Sequence, residues 1–431
     1  MFNTKRYLVV FVLAAFVILA IVPAAAQEEI TLVVWDTFVR PAEVAMMDQL
    51  SAQFEEANPG VTVQHEGYNF DDLMLVLPQS LSEEGGPDVA QINQGATSMG
   101  ALVQAGLILP LDDYAAEYGW RDLYADSLHA RNSFSADGLT YGEGNLYGIS
   151  NTAEVVGVYY WKQAFADLGI EVPTTFAEFE GILQTIKDAG QTPIVFGSLD
   201  GWPAIHEYSA IEHPFSDPQN IDDFIFRREG ATFVNDANLQ AAQKLVEWVD
   251  AGYFPDGFEG MDYDNATLAA FRNREGVMWI TGSWIAASLL EDANADEIGF
   301  FVIPSPDAET PPYAVGGVGI PYGISANSPN ADLAAEFINM VSSPEVAAQL
   351  LELGFLPAVA VGEDQLTEGT LTTDIVNAWN LISSNNRVGH YLDWAVPLDD
   401  INAALQELMA KQITPEDFVT QVEDAYVAAA P

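Results

Sequence analysis

Two hydrophobic rhythms alternate along this chain: short unbroken apolar runs, which read as strands, and stretches with a period of about 3.6, which read as helices. Ile30-Thr31-Leu32-Val33-Val34 is the first run. Pro41 then opens a helical pattern in which Val44, Met47, Leu50 and Phe54 fall near one face, and Asn58-Pro59-Gly60 ends it. Val61-Thr62-Val63-Gln64 is extended, Asp71 to Leu81 is helical, Gly85-Gly86-Pro87 turns, and Asp88 to Ile92 is a third strand. The middle of the chain keeps this alternation. Leu146 to Tyr160 is strand-like, and Thr175-Phe176-Ala177-Glu178 is a capping box ahead of a helix with Phe176, Phe179, Leu183 and Ile186 on its buried face. Gly190 closes that helix, and Ile194 to Phe196 reads as the next strand. Ile298 to Ile303 is another strand and Gly316 to Ile324 an extended Gly-rich segment; Asp332 to Val341 and Ser343 to Gly354 are helical. Strands alternating with helices predict mainly parallel sheets covered on both faces, here in two α/β lobes.

The N-terminus has a different composition. Lys5 and Arg6 precede an apolar run from Tyr7 to Val22, closed by Pro23-Ala24-Ala25-Ala26. That order predicts a secretory signal peptide over 1–26, cleaved after Ala26, with a retained membrane anchor as the competing reading. The chain has no Cys, which excludes lipid attachment at a new N-terminal Cys. The remaining 27–431 is long for one core and suits two lobes. Of the charged residues 63 are acidic and 14 basic; without Lys5 and Arg6 the net charge of −49 becomes −51. Such a field disfavours nucleic acid, anionic membranes and polyanionic ligands, and a neutral ligand fits it best.

The runs Phe54-Glu55-Glu56-Ala57-Asn58-Pro59-Gly60-Val61, Gly86-Pro87-Asp88-Val89 and Gly106-Leu107-Ile108-Leu109-Pro110-Leu111 stand in a familiar order. So do Tyr147-Gly148-Ile149-Ser150, Val158-Tyr159-Tyr160-Trp161-Lys162, Leu168-Gly169-Ile170 with Pro173-Thr174-Thr175, Met278 to Trp284, Gly316 to Asn330 and Gly354-Phe355-Leu356-Pro357. Together they resemble the extracellular solute-binding proteins of the maltose-binding type over nearly the whole mature chain. Trp161 departs from the Asn usual there, at a strand end. The resemblance implies a periplasmic-binding-protein type II fold with three hinge crossings, near Tyr147–Ser150, Gly316–Tyr322 and Val361–Thr370. It implies one lobe from 27–148 with 322–362 and another from 149–321 with 363–431.

Ligands in parallel α/β sheets collect at the carboxyl ends of strands. That rule selects Trp35, Asp36 and Thr37, then Asn93 and Gln94, then Asn151 and Thr152, then Asp200, Gly201 and Trp202. The resemblance adds Gly282, Ser283 and Trp284, Gly317, Tyr391 and Trp394. Glu66 and Asn69 are weaker candidates. Sugars pair apolar C–H faces with hydroxyls, so Trp35, Trp202, Trp284 and Trp394 beside Asp, Asn, Gln and Thr suit a carbohydrate. Trp120, Trp161, Trp248 and Trp279 read as core. Gly316, Gly317 and Gly319 read as hinge or close-approach positions.

Catalytic and cofactor signals are lacking in the sequence. His65, His129, His206, His213 and His390 have no zinc spacing, Asp262-x-Asp264-x-Ala266 breaks the calcium-loop pattern, and no Gly-x-Ser-x-Gly occurs. No metal, cofactor or catalytic residue is expected. The chain has no P-loop, so an ATPase would be a separate chain. The expected function is capture of a mono- or oligosaccharide, as a monomer, for delivery to the transmembrane permease subunits of an ABC importer. A polyol, glycerol-phosphodiester or peptide is the alternative cargo, and a secreted glycan-active enzyme the alternative class.

Overall fold

The computed structural model describes residues 29–430; the expected export segment 1–26 and its junction after Ala26 lie outside them. The first sheet has the order Tyr322–Ile324, Val89–Gln91, Ile30–Asp36, Val61–Gly67. Its last three strands are parallel and Tyr322–Ile324 is antiparallel. The helix Pro41–Ala57 makes the crossover between Ile30–Asp36 and Val61–Gly67, its Pro at the first turn and Arg40 at its N-cap. Glu43 completes that cap: its Oε2 accepts from the backbone N–H of Val39 at 3.1 Å and of Arg40 at 3.0 Å. Met46, Met47, Leu50 and Phe54 bury its apolar face against Phe337 and Ile338 of the helix Ala331–Val341.

The second sheet is built around the nine-residue strand Ala153–Trp161, buried almost throughout. Met278–Gly282 lies on one side of it. Ile298–Phe301 and Ala314–Val318 pair with successive parts of it, and Val388–Gly389 extends the edge beyond Ala314–Val318. The expectation of a mainly parallel sheet is corrected here, since all three partners of Ala153–Trp161 run antiparallel to it. A strand buried on both faces has the same apolar run in either direction, so the pattern carries no sense of pairing. Ile194–Phe196 is also not a ladder strand. It makes one bridge, Ile194 to Met278, and its neighbouring backbone groups are divided among Tyr253, Met278 and Phe258. Its apolar run reflects full burial alone. Trp120, Trp161, Trp248 and Trp279 are buried, as expected of core residues.

Three extended segments carry the chain between the sheets, and they pair as a ribbon. Ile149 exchanges both backbone bonds with Tyr322, at 3.0 and 2.9 Å, and Gly319 N–H donates to Thr152 O at 2.8 Å. On the other side Ala153 N–H donates to Leu356 O at 2.7 Å and Ala358 N–H to Asn151 O at 3.1 Å. The third strand of this ribbon is Leu356–Ala358, which precedes the Val361–Thr370 stretch expected from the sequence as the third crossing. Phe355 still packs in the first-lobe core, whereas Leu356 and Ala358 pack in the second. A paired ribbon of three thin crossings can bend while each lobe stays rigid.

Candidate functional site

A cavity of about 410 Å³ lies between the lobes, at the strand ends. Of the expected residues, Thr37, Asn93, Gln94, Thr152, Asp200, Trp202, Ser283, Trp284, Tyr391 and Trp394 line it. Trp35, Asp36, Asn151, Gly282 and Gly317 do not, and each has a structural occupation. Trp35 is half-buried against the Tyr68 ring, 4.8 Å away. Asp36 is fully buried: its Oδ1 accepts from Phe38 N–H at 3.0 Å and from His65 Nε2–H at 2.8 Å, and its Oδ2 from Tyr322 hydroxyl at 3.2 Å. Asn151, 1 % exposed, sits in the middle strand of the ribbon. Gly317 leaves room for the Arg131 guanidinium, which a Cβ would meet at 2.3 Å. Arg131 donates to the carbonyls of Gly316 and Val388, the latter at 2.9 Å.

The second lobe supplies an aromatic wall. The Trp202 ring lies 4.5 Å from Tyr263 and 6.2 Å, edge-on, from Trp284. Trp284 Nε1–H donates to the Tyr263 hydroxyl at 2.8 Å, which in turn pairs with Thr281 Oγ1 at 2.9 Å, so the indole orientation is set from behind. Gly282 permits this packing, because a Cβ there would lie 1.9 Å from the Trp284 ring. Tyr391 donates to Glu154 Oε2 at 3.1 Å and its ring lies 5.4 Å from Trp394. Trp394 lines the cavity although it is only 1 % exposed, and Arg131 lies over its ring.

Contacts across the cleft join the two walls. Asn93 Nδ2–H donates to Asp393 Oδ2 at 2.7 Å, Ala96 N–H to Trp394 O at 2.8 Å and Thr97 hydroxyl to Asp393 O at 3.0 Å. Gly95, at φ 96°, allows this approach, since a Cβ would lie 2.3 Å from Trp394 Cα. Arg40 reaches Asp264 at 2.7 Å while holding Glu43 at 2.7 Å. Thr37 is partly engaged within its own wall, Gln91 Oε1 accepting from it, whereas Gln94 reaches the other lobe's segment and donates to Val318 O and Gly319 O at 3.1 Å each.

Several lining residues escaped the sequence reading: Asp71, Glu154, His206, Tyr263 and Asp393. Two had a legible signal. His206 follows Trp202 by one helical turn and so shares its face, and Glu154 follows Thr152 at the strand period of two. Burial pushes Glu154 up to about 7, against the opposing bond from Tyr391, and Asp393 up to about 6, against the bond from Asn93. Burial also pushes His206 down to about 3, which keeps its imidazole neutral. Among the described residues no group of three or more His, Cys, Asp and Glu side chains is placed to hold a metal ion, and no helix is long and apolar enough to cross a membrane.

Two α/β lobes, a three-stranded ribbon and a lined cleft between them define a two-lobed solute-binding protein. Residues 40–348 match the family model of the bacterial extracellular solute-binding proteins, and the chain belongs to that family. It is 23% identical over 321 residues to the multiple sugar-binding protein of Streptococcus mutans, covering 74% of this chain and 73% of that one. It is 25% identical over 384 residues to the diacetylchitobiose binding protein DasA of Streptomyces coelicolor, covering 86% and 83%. Among solved structures, a chitin oligosaccharide binding protein superposes with a TM-score of 0.81 at 23% identity, over 94% of this chain and all of that one. A protein of xylan utilization from Caldanaerobius polysaccharolyticus gives 0.79 at 25% identity, over 92% and 99%.

Proposed function

We propose that this protein is the extracytoplasmic receptor of an ABC importer and captures a carbohydrate between its lobes. The observation that carries the reading is the composition of the cleft. One wall offers the flat faces of Trp202, Trp284 and Tyr391, and both walls offer amides, hydroxyls and carboxylates, the pairing that sugar rings require. Relatives whose names specify sugars support it. Ligand favours closure because it contacts both lobes at once, which shifts the open–closed population.

In this proposal the chain is exported by the 1–26 segment, cleaved after Ala26, and acts as a monomer without catalysis. It meets a transmembrane permease pair served by a separate ATPase, and its acidic field keeps it from nucleic acid. The moving bodies are 27–148 with 322 onward, and 149–321 with the C-terminal part, the last boundary being drawn at Leu356 instead of 362. The test is calorimetry of the mature protein against neutral mono-, di- and trisaccharides, with product analysis of each mixture. Saturable heat with the sugar recovered intact is expected. No heat from any saccharide, neutral or amine-bearing, would overturn the carbohydrate reading, and released product would overturn capture without turnover.

A further inference from the structure

Building on the carbohydrate reading, we infer that the preferred ligand is an amine-bearing saccharide, held as its ammonium between carboxylates of the two lobes. Arg40 is the only Lys or Arg among the described residues lining the cavity, and Glu43 and Asp264 already neutralise it. Asp71, Asp72, Glu154, Asp200 and Asp393 remain without a cationic partner. Asp71 and Asp72 stand at the first turn of the helix Phe70–Ser82 and accept no hydrogen bond from a described residue. The other three lie on the second lobe and receive only neutral donors, from Tyr391, from the backbone of Tyr263 and from Asn93.

Lobe closure thus brings like charges together. Desolvation in the cleft, then the charges of Asp200, Asp72, Asp399 and Asp393, push Asp71 up to about 6; three of those four carboxylates lie on the opposite lobe. A neutral sugar leaves this repulsion in place. An ammonium placed between the lobes turns it into attraction toward both sides, so its charge favours the closed form over the open one.

His206 is an independent sign of a ligand group. It is 5 % exposed, lines the same cavity within the helix Pro203–Glu212, and its imidazole makes no hydrogen bond with any described residue. Trp202, Trp284 and Tyr391 surround its ring at 5.2, 5.2 and 5.7 Å. A neutral imidazole can accept from an ammonium, and the electron-rich faces of the surrounding rings attract one.

The test is calorimetry at pH 7 and low salt with saccharides that differ only at C2. Glucosamine, glucose and N-acetylglucosamine form one series; the β-1,4 disaccharides of the same three units form another. The amine member is expected to bind at least tenfold more tightly than its hydroxyl and acetamide counterparts, with the advantage falling several-fold at 0.5 M salt. Asp71→Asn should reduce the advantage to about threefold or less, the amine losing more affinity than its neutral counterparts do. A hydroxyl or acetamide member that binds as tightly as the amine overturns this inference and leaves the carbohydrate reading standing. Absence of binding by all members, together with an empty broad neutral screen, overturns both.

Discussion

The side-chain amide of Asn93 donates to the carboxylate of Asp393 at 2.7 Å, a buried bond between residues 300 positions apart that closes the back of the cleft. Despite that bond, burial raises Asp393 from 3.8 to about 6. The folded state therefore holds the proton more tightly than the unfolded chain between those values, and the ionised form costs stability above pH 6. Asp393→Asn is expected to raise the melting temperature at pH 7.5, by at most about 3 kcal/mol in stability. The gain should shrink as the pH falls through 6 and vanish below 4. Thermal melts at pH 4, 6 and 7.5 read this directly. A variant less stable than wild type at pH 7.5 would show that the charged acceptor for Asn93 outweighs the desolvation.

Gly282 and Trp284 separate ring position from ring presence. Gly282 has φ −84°, which any residue adopts, so the obstacle to Gly282→Ala is steric, and its three nearest contacts are all with the Trp284 ring, from 1.9 Å. The half-buried indole should swing into the cavity and weaken sugar binding about tenfold with a smaller change in melting temperature. Trp284→Ala should weaken binding tenfold or more, also with modest loss of stability. A collapse of stability in Trp284→Ala would return this ring to the core.

Arg40 joins the lobes through Asp264, and its two carboxylate partners differ in burial. Asp264 is 37% exposed, so Asp264→Asn should lower affinity by about fivefold at most at low salt and not at all at high salt. Arg40→Ala instead strands Glu43, 2% exposed, without a counter-charge, and is expected to cost about 3–5 kcal/mol in denaturant unfolding. Equal effects of the two variants would contradict this division.

His206 lies well below the ordinary histidine value of 6.5, at about 3, because it is buried. Its contribution to stability is complete above pH 6.5 and lost as the pH falls toward 3. His206→Phe should therefore lose less stability than wild type between pH 6.5 and 4. It should also bind sugar several-fold more weakly at every pH, because the ring remains and its nitrogens do not. Glu154, Asp71 and Asp393 titrate in the same cleft between about 6 and 7 and persist in the variant, so a binding step near pH 6.5 that disappears in His206→Phe would contradict a permanently neutral imidazole.

Local patterns were enough to read most of the elements. Pro41, the Asn58-Pro59-Gly60 break and the Thr175–Glu178 capping box act within a few residues, and helices begin and end where they stand. Strand-end polarity likewise led to Thr37, Asn93, Thr152 and Trp202, which line the cavity. Strand direction around Ala153–Trp161 was not legible, because burial on both faces erases the alternation that would distinguish pairings. Nor could polarity alone separate Asp36 from Asp393. Both are carboxylates at strand or turn ends, yet one is consumed by His65, Phe38 and Tyr322 while the other faces the cleft. Which acids share a cavity depends on contacts hundreds of residues apart, and only the tertiary structure brought Asp71, Glu154, His206 and Asp393 to one site.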